Sequence, residues 1–152
     1  MLQVTLAILH LLALGLGLGA VLNRGTALRE PPTAASLRRV FRADTVWAIA
    51  GFLWIATGLV RWFGAIEKPE EYYSANMFFI AKMSLLAVVL ILEVGAMVTL
   101  IRWRRAAARG ESPEAIASPA RASQLATLSH VQALLVVLMV LAAVAMARGF
   151  GS

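Results

Sequence analysis

Four apolar runs, each about as long as a helix that crosses a bilayer, alternate with three polar stretches along the chain. They cover residues 2–22, 45–66, 77–101 and 125–147. About 20 helical residues span the ~30 Å hydrocarbon layer, and a helix satisfies its own backbone polar groups where no water can. The pattern therefore predicts an all-α fold: a four-helix transmembrane bundle of up-down topology, with residues 1–152 forming one integral membrane domain.

Polar residues inside these runs are the informative departures. The third run, MFFIAKMSLLAVVLILEVGAMVTLI, holds Lys82 and Glu93, eleven residues apart. At 100° per residue that is about three turns, so both side chains leave one helix face roughly 16 Å apart. An ionisable group in hydrocarbon costs on the order of 3 kcal/mol or more and is kept mainly where it faces a partner, a cavity or a cofactor. In the first run His10, Leu14, Gly17, Val21 and Arg24 recur at spacings of four, three, four and three, which also defines one face. Gly15, Gly17 and Gly19 strip side chains from about half of that helix, so another helix or a flat ligand can approach its backbone. The second run carries Trp47 and Trp62 near its two ends, as aromatic belts require, Arg61 within snorkelling reach of one end, and a small pair, Thr57-Gly58, suited to a helix contact. The fourth brings in His130 and Gln132 near its start.

The polar stretches set the orientation. Of 14 basic residues, five (Arg24, Arg29, Arg38, Arg39, Arg42) lie in or beside the first stretch and five (Arg102, Arg104, Arg105, Arg109, Arg121) in or beside the third. This is the positive-inside distribution, so both stretches should be cytoplasmic and both termini should lie on the outer, periplasmic side of a bacterial inner membrane. The first run has no basic residue ahead of it and should remain as a span rather than act as a cleaved signal. The first stretch is broken by Pro31-Pro32; from Ala34 it reads either as a short interfacial helix, with Leu37, Val40 and Phe41 toward lipid, or as a plain basic connector. The third, alanine-rich and interrupted by Pro113 and Pro119, reads as a mobile connector. The second, with Glu67, Glu70, Glu71 and the interfacial anchors Tyr72 and Tyr73, is acidic and should lie outside.

Composition agrees with a bilayer-embedded chain: 61% of residues are hydrophobic and mean hydropathy is +0.80. A net charge of +6 and a pI of about 11.1 would suit nucleic acid, but topology alone accounts for the loop arginines and no nucleic-acid partner is expected. The absence of cysteine excludes disulfides, iron–sulfur ligation and thiol chemistry within the chain.

Depth sorts the polar residues into two layers. His10 and Lys82 both lie roughly 9 to 12 Å from the outer ends of their helices. Arg24, Glu93 and His130 lie toward the other side, where Glu93 should pair with Arg24 or His130. In the outer layer an imidazole is a ready axial ligand for haem iron, and a helix bundle interior is a common haem site. His10 is then the expected iron ligand, with Gly17 on its face; the second ligand would be Lys82 as a neutral amine, water, or nothing, and Lys82 can otherwise transfer protons. Ligation by both histidines is disfavoured, because His130 should lie roughly 10 Å or more deeper than His10. The alternative is that His10 and Lys82 simply hydrogen-bond within the bundle.

A first-span histidine, an arginine at the inner end of that helix, and a third-span lysine followed eleven residues later by a polar group resemble the HemJ-type protoporphyrinogen oxidases, small four-helix bacterial membrane proteins that bind haem b. The resemblance implies His10 as haem ligand and Lys82 as its partner or a catalytic group; Arg24 and Glu93, expected to stabilise the inner half, are counted with Lys82 as candidate catalytic residues. Glu93 stands where that family has a histidine, and SHVQALL replaces its asparagine–glutamate–proline stretch. More closely, LHLLALGLGLGAV, RRVFRAD, LWIATGL, AKM and MVTLIRWRR resemble a family of bacterial four-helix membrane proteins of unknown function. The leading expectation is a haem b protein with redox or porphyrin-related activity. The rivals are a non-enzymatic subunit that docks small-residue faces onto a larger membrane complex or a second copy, and a proton or solute path through Lys82 and Glu93.

Overall fold

The computed structural model describes residues 1–64 and 76–151. The acidic stretch with Glu67, Glu70, Glu71, Tyr72 and Tyr73, and the expectations attached to it, lie outside the described residues. The chain forms α1 (Leu2–Ala27), α2 (Ala34–Phe63), α3 (Met77–Ala108), a short α4 (Pro113–Ile116) and α5 (Pro119–Ala147). α1, α2, α3 and α5 are each long and apolar enough to cross a membrane, so the protein is a multi-pass, bilayer-embedded four-helix bundle. Large apolar side chains such as Leu9, Phe52, Ile91 and Leu141 point outward, as a lipid-facing surface requires.

α1 packs along α2 and on α5, and α5 packs on α3, whereas α2 and α3 approach each other less closely. α1 and α3 therefore sit on a diagonal of the bundle. The chain reverses between α1 and α2 at Pro31-Pro32, and α2 starts with a reciprocal cap: Ser36 N–H donates to Thr33 Oγ1 (3.1 Å) and Thr33 N–H to Ser36 Oγ (2.8 Å). α3 starts on Asn76, fully buried, whose Oδ1 accepts from Phe78 and Phe79 N–H while its Nδ2 donates to Phe150 O (3.0 Å). Gly151, at φ +83°, closes this tie by accepting from Met77 N–H (3.2 Å). The end of the chain is thus fastened to the start of α3.

Three expectations need correction. The interfacial segment from Ala34 is neither separate nor lipid-facing: it is the first part of α2, and Leu37 and Val40 pack inward with Leu100, Trp103, Ile116 and Leu125. The third polar stretch is not a loose connector, since α3 runs on to Ala108 and Ile116 and Ala117 of the α4 turn are buried in that same cluster. The cause is shared: arginine is a good helix former, and Arg38, Arg39, Arg42, Arg102 and Arg105 occupy the outer face while Leu, Val, Ala and Trp fill the inner one. Trp47 is not a belt residue either; it is buried beside Val21, Val89 and Val136 in mid-bundle.

Candidate functional site

The arginine-rich half is held by one side chain. Arg24 is fully buried, and each of the five N–H groups of its guanidinium finds an acceptor. Nη1 donates to Asp44 Oδ1 and Glu93 Oε1, both at 2.9 Å; Nη2 donates to Glu93 Oε2 (3.0 Å) and Gln132 Oε1 (2.7 Å); Nε donates to Ser129 Oγ (3.1 Å). Ser129 can accept because its own hydroxyl proton goes to Leu125 O (2.9 Å). Gln132 Nε2 donates in turn to Glu93 Oε2 (2.8 Å), and Arg104 Nη2 to Asp44 Oδ2 (3.0 Å). Every spanning helix contributes, and the two carboxylates are matched by two guanidinium groups. A buried charge is tolerable on these terms, with geometry and hydrogen bonds offsetting desolvation. Of the two partners expected for Glu93, the structure selects Arg24. His130 lies apart: its Nδ1 donates to Ala126 O (2.6 Å), and its ring rests on Gly25, where an added Cβ would come within 2.5 Å of Cε1.

The half that carries the termini is built differently. Between the four spanning helices lies a cavity of about 400 Å³, within the range of small-molecule sites. α1 brings His10 and Leu14 to its wall, α2 brings Trp54, Arg61 and Trp62, α3 brings Lys82 and Leu86, and α5 brings Met139. The expected outer layer, His10 with Lys82, thus lines one space from diagonal helices. Arg24 and Glu93 do not reach it, nor does Gly17, where an added Cβ would stand 3.4 Å from Ala50 Cβ and the Trp47 ring, so that it serves the α1–α2 contact. Gly15 and Gly19 have nothing within 4 Å of where a side chain would begin.

His10 is positioned by α2. Its Nδ1 lies 2.9 Å from Thr57 Oγ1, and the Thr57 hydroxyl donates to Leu53 O at 2.7 Å. With its own proton on Leu53 O, the Thr57 oxygen can accept from an N–H at His10 Nδ1, and in that tautomer the neutral ring carries its lone pair on Nε2. Gly58 makes room for the ring, since a Cβ there would stand 3.2 Å from His10 Cε1. Trp54 flanks it with ring centroids 5.8 Å apart. The Thr57-Gly58 pair is therefore the seat of the histidine.

Lys82 has a thinner set of contacts. Its ammonium stands 5.1 Å from the Phe79 ring centroid, a cation–π distance, and it makes no hydrogen bond or ion pair with any described residue. Phe79 is held edge-on by Trp62 at 4.9 Å, and Trp62 stacks on Phe63 at 4.5 Å. Trp54 Nε1 and Trp62 Nε1 are buried in the wall with no acceptor among the described residues.

Sequence reasoning missed Asp44, Ser129, Asn76 and Trp54. Asp44 was hidden among loop arginines; a carboxylate one residue before an apolar run was the available signal. Among the described residues no three His, Cys, Asp or Glu side chains converge, so a metal held here would depend on His10 and not on a cluster.

No characterised protein and no solved structure was found to match the chain. One family profile does match, over residues 2–151, and its description agrees with four apolar spans in a bundle. The chain accordingly belongs to the family described as Predicted membrane protein (DUF2214).

Proposed function

We propose that the protein binds haem b in the cavity near its termini, with His10 as iron ligand, and carries a redox or porphyrin-related activity of the kind the HemJ resemblance implies. The observation that supports this most is the seating of His10. A metal-binding histidine commonly donates its second ring nitrogen to a fixed acceptor, which sets tautomer and orientation. Here Thr57 is placed to be that acceptor, and in that tautomer Nε2 would be the atom offered to iron. The walls suit a flat apolar group: Leu14, Leu86, Met139, Trp54 and Trp62 supply aliphatic and aromatic surface. Bound haem would supply one-electron chemistry, with a potential tuned by axial ligation and burial. The chain's own residues orient the group, keep it in a low-dielectric space, and place one ammonium, Lys82, on the same wall as a proton donor.

In this reading Arg24 and Glu93 act at a distance, by holding the four helices that shape the cavity. The positive-inside distribution puts the arginine-rich end in the cytoplasm and the cavity toward the periplasmic face of a bacterial inner membrane. The test is an absorption spectrum of gently purified protein from haem-replete cells, with and without dithionite. A Soret band that sharpens on reduction is expected; colourless protein would count against the proposal.

A second reading rests on Gly15 and Gly19. They are exposed, four residues apart on α1, and suited to close helix approach. They would serve an accessory subunit docking on a larger membrane complex or on a second copy. Stoichiometric co-purification of a partner, with no pigment on this chain, would favour it.

A further inference from the structure

We infer that the cavity takes a ligand bearing a carboxylate, and that the Lys82 ammonium is the group that binds it. The inference deepens the haem proposal, because it assigns Lys82 to an anion on the bound molecule and not to iron, but it stands on Lys82 and does not require His10.

The argument begins from cost. A lysine within an apolar span is expensive unless a partner offsets its burial. The same protein shows how that is done: Arg24 has an acceptor for every N–H and two carboxylates beside it. Lys82 is half-buried on a cavity wall, has only the Phe79 ring, and has no carboxylate or hydrogen-bond acceptor among the described residues. A cation–π contact at 5.1 Å offsets only part of the charge.

The wall itself is one-sided. Its polar side chains among the described residues are His10, Trp54, Arg61, Trp62 and Lys82; two are cations, two are indoles with donors only, and none is acidic. Both indole N–H groups lack an acceptor among the described residues. Apart from the His10 ring the polar groups of the wall are donors, which calls for an acceptor-bearing ligand. Depth fixes its orientation: Arg61 and Trp62 are in the last turn of α2 and Lys82 in the second turn of α3, while His10 and Trp54 lie roughly 12 Å from their helix ends. An anion at the shallow end with an apolar body reaching down to Leu14, Leu86 and Met139 matches that gradient. The Lys82 ammonium, a compact point charge at the shallow end, suits a carboxylate at the head of such a ligand. Two sources share this chemistry, a tetrapyrrole propionate and the carboxyl end of a fatty acyl chain.

The experiment is a binding titration of the detergent-solubilised full-length protein, read by tryptophan quenching, with metal-free protoporphyrin IX and its dimethyl ester, and with oleate and methyl oleate. The acid should bind about ten- to hundredfold more tightly than its ester, as one charge-assisted contact implies. The preference should vanish in Lys82→Met and persist in Lys82→Arg, with both variants melting as the wild type does. Equal binding of acid and ester, or a preference that survives Lys82→Met, would overturn the inference. If haem binds through His10 while acid and ester are indistinguishable, this inference falls and the haem proposal stands. If only oleate shows the Lys82-dependent preference and hemin gives no Soret band, the inference stands and the haem proposal falls. Binding of none of the four probes overturns it as well.

Discussion

The two ends of the bundle treat a buried cation in opposite ways. At the arginine-rich end Arg24 is sealed in, with partners from α2, α3 and α5, and the surrounding space is filled by Leu37, Val40, Leu100, Trp103 and Ile116. At the other end Lys82 faces a cavity of about 400 Å³ and touches an aromatic ring. One charge is matched within the protein; the other is, on the reading proposed above, matched by a bound ligand. On that reading the contrast separates a region that supplies stability from one that supplies binding.

That division gives predictions of decreasing size. Arg24→Met should be the most damaging change, because it leaves Asp44 and Glu93 with two carboxylates and one remaining guanidinium. Stranding one member of a buried ion cluster costs about 3 to 5 kcal/mol, measurable as a shift in a urea or dodecyl sulfate unfolding curve. A variant that unfolds like the wild type would remove the cluster from the stability account.

Gly25→Ala should cost about 1 to 3 kcal/mol, since its Cβ would fall 2.5 Å from His130 Cε1 and 2.8 Å from Nδ1. Combining it with His130→Ala should recover most of the loss. A double variant no better than the single one would show that the close approach is not what matters there.

Lys82→Met should have the smallest effect on stability, within about 1 kcal/mol of zero and favourable if anything, because it replaces an incompletely compensated buried charge by an apolar chain of similar length. The same unfolding curve checks it, and a loss comparable to that of Arg24→Met would erase the proposed difference between the two ends.

The four spans were legible because runs of about 20 apolar residues admit few other structures in a chain this hydrophobic. The inward face of α1 was legible for a similar reason: His10, Leu14, Gly17, Val21 and Arg24 keep helical spacing, and the last three are buried. Helix length at the arginine-rich end was not. Arg38, Arg39, Arg102 and Arg105 lower the average hydropathy of any window that contains them, although Leu37, Val40, Trp103 and Ala106 beside them build a core. Trp47 misled because an indole near the end of a span reads the same whether it faces head groups or a neighbouring helix. Depth along the helices narrowed the partner of Glu93 to Arg24 or His130, but the choice between them, and Asp44, Ser129 and Gln132 as further partners of Arg24, depend on rotation about the helix axes, which periodicity does not align between helices. The same holds for Thr57 beneath His10. The tie between Asn76 and Phe150 joins residues 74 positions apart and left no local signal.

The most direct test of the account is a hemin titration of wild type and His10→Ala, each checked for thermal unfolding in the same detergent. Wild type should saturate at one equivalent with a growing Soret band, and His10→Ala should fail to develop that band while unfolding as the wild type does. Identical saturation of the two proteins, or no Soret band in either, would contradict the assignment of the cavity as a haem site seated on His10.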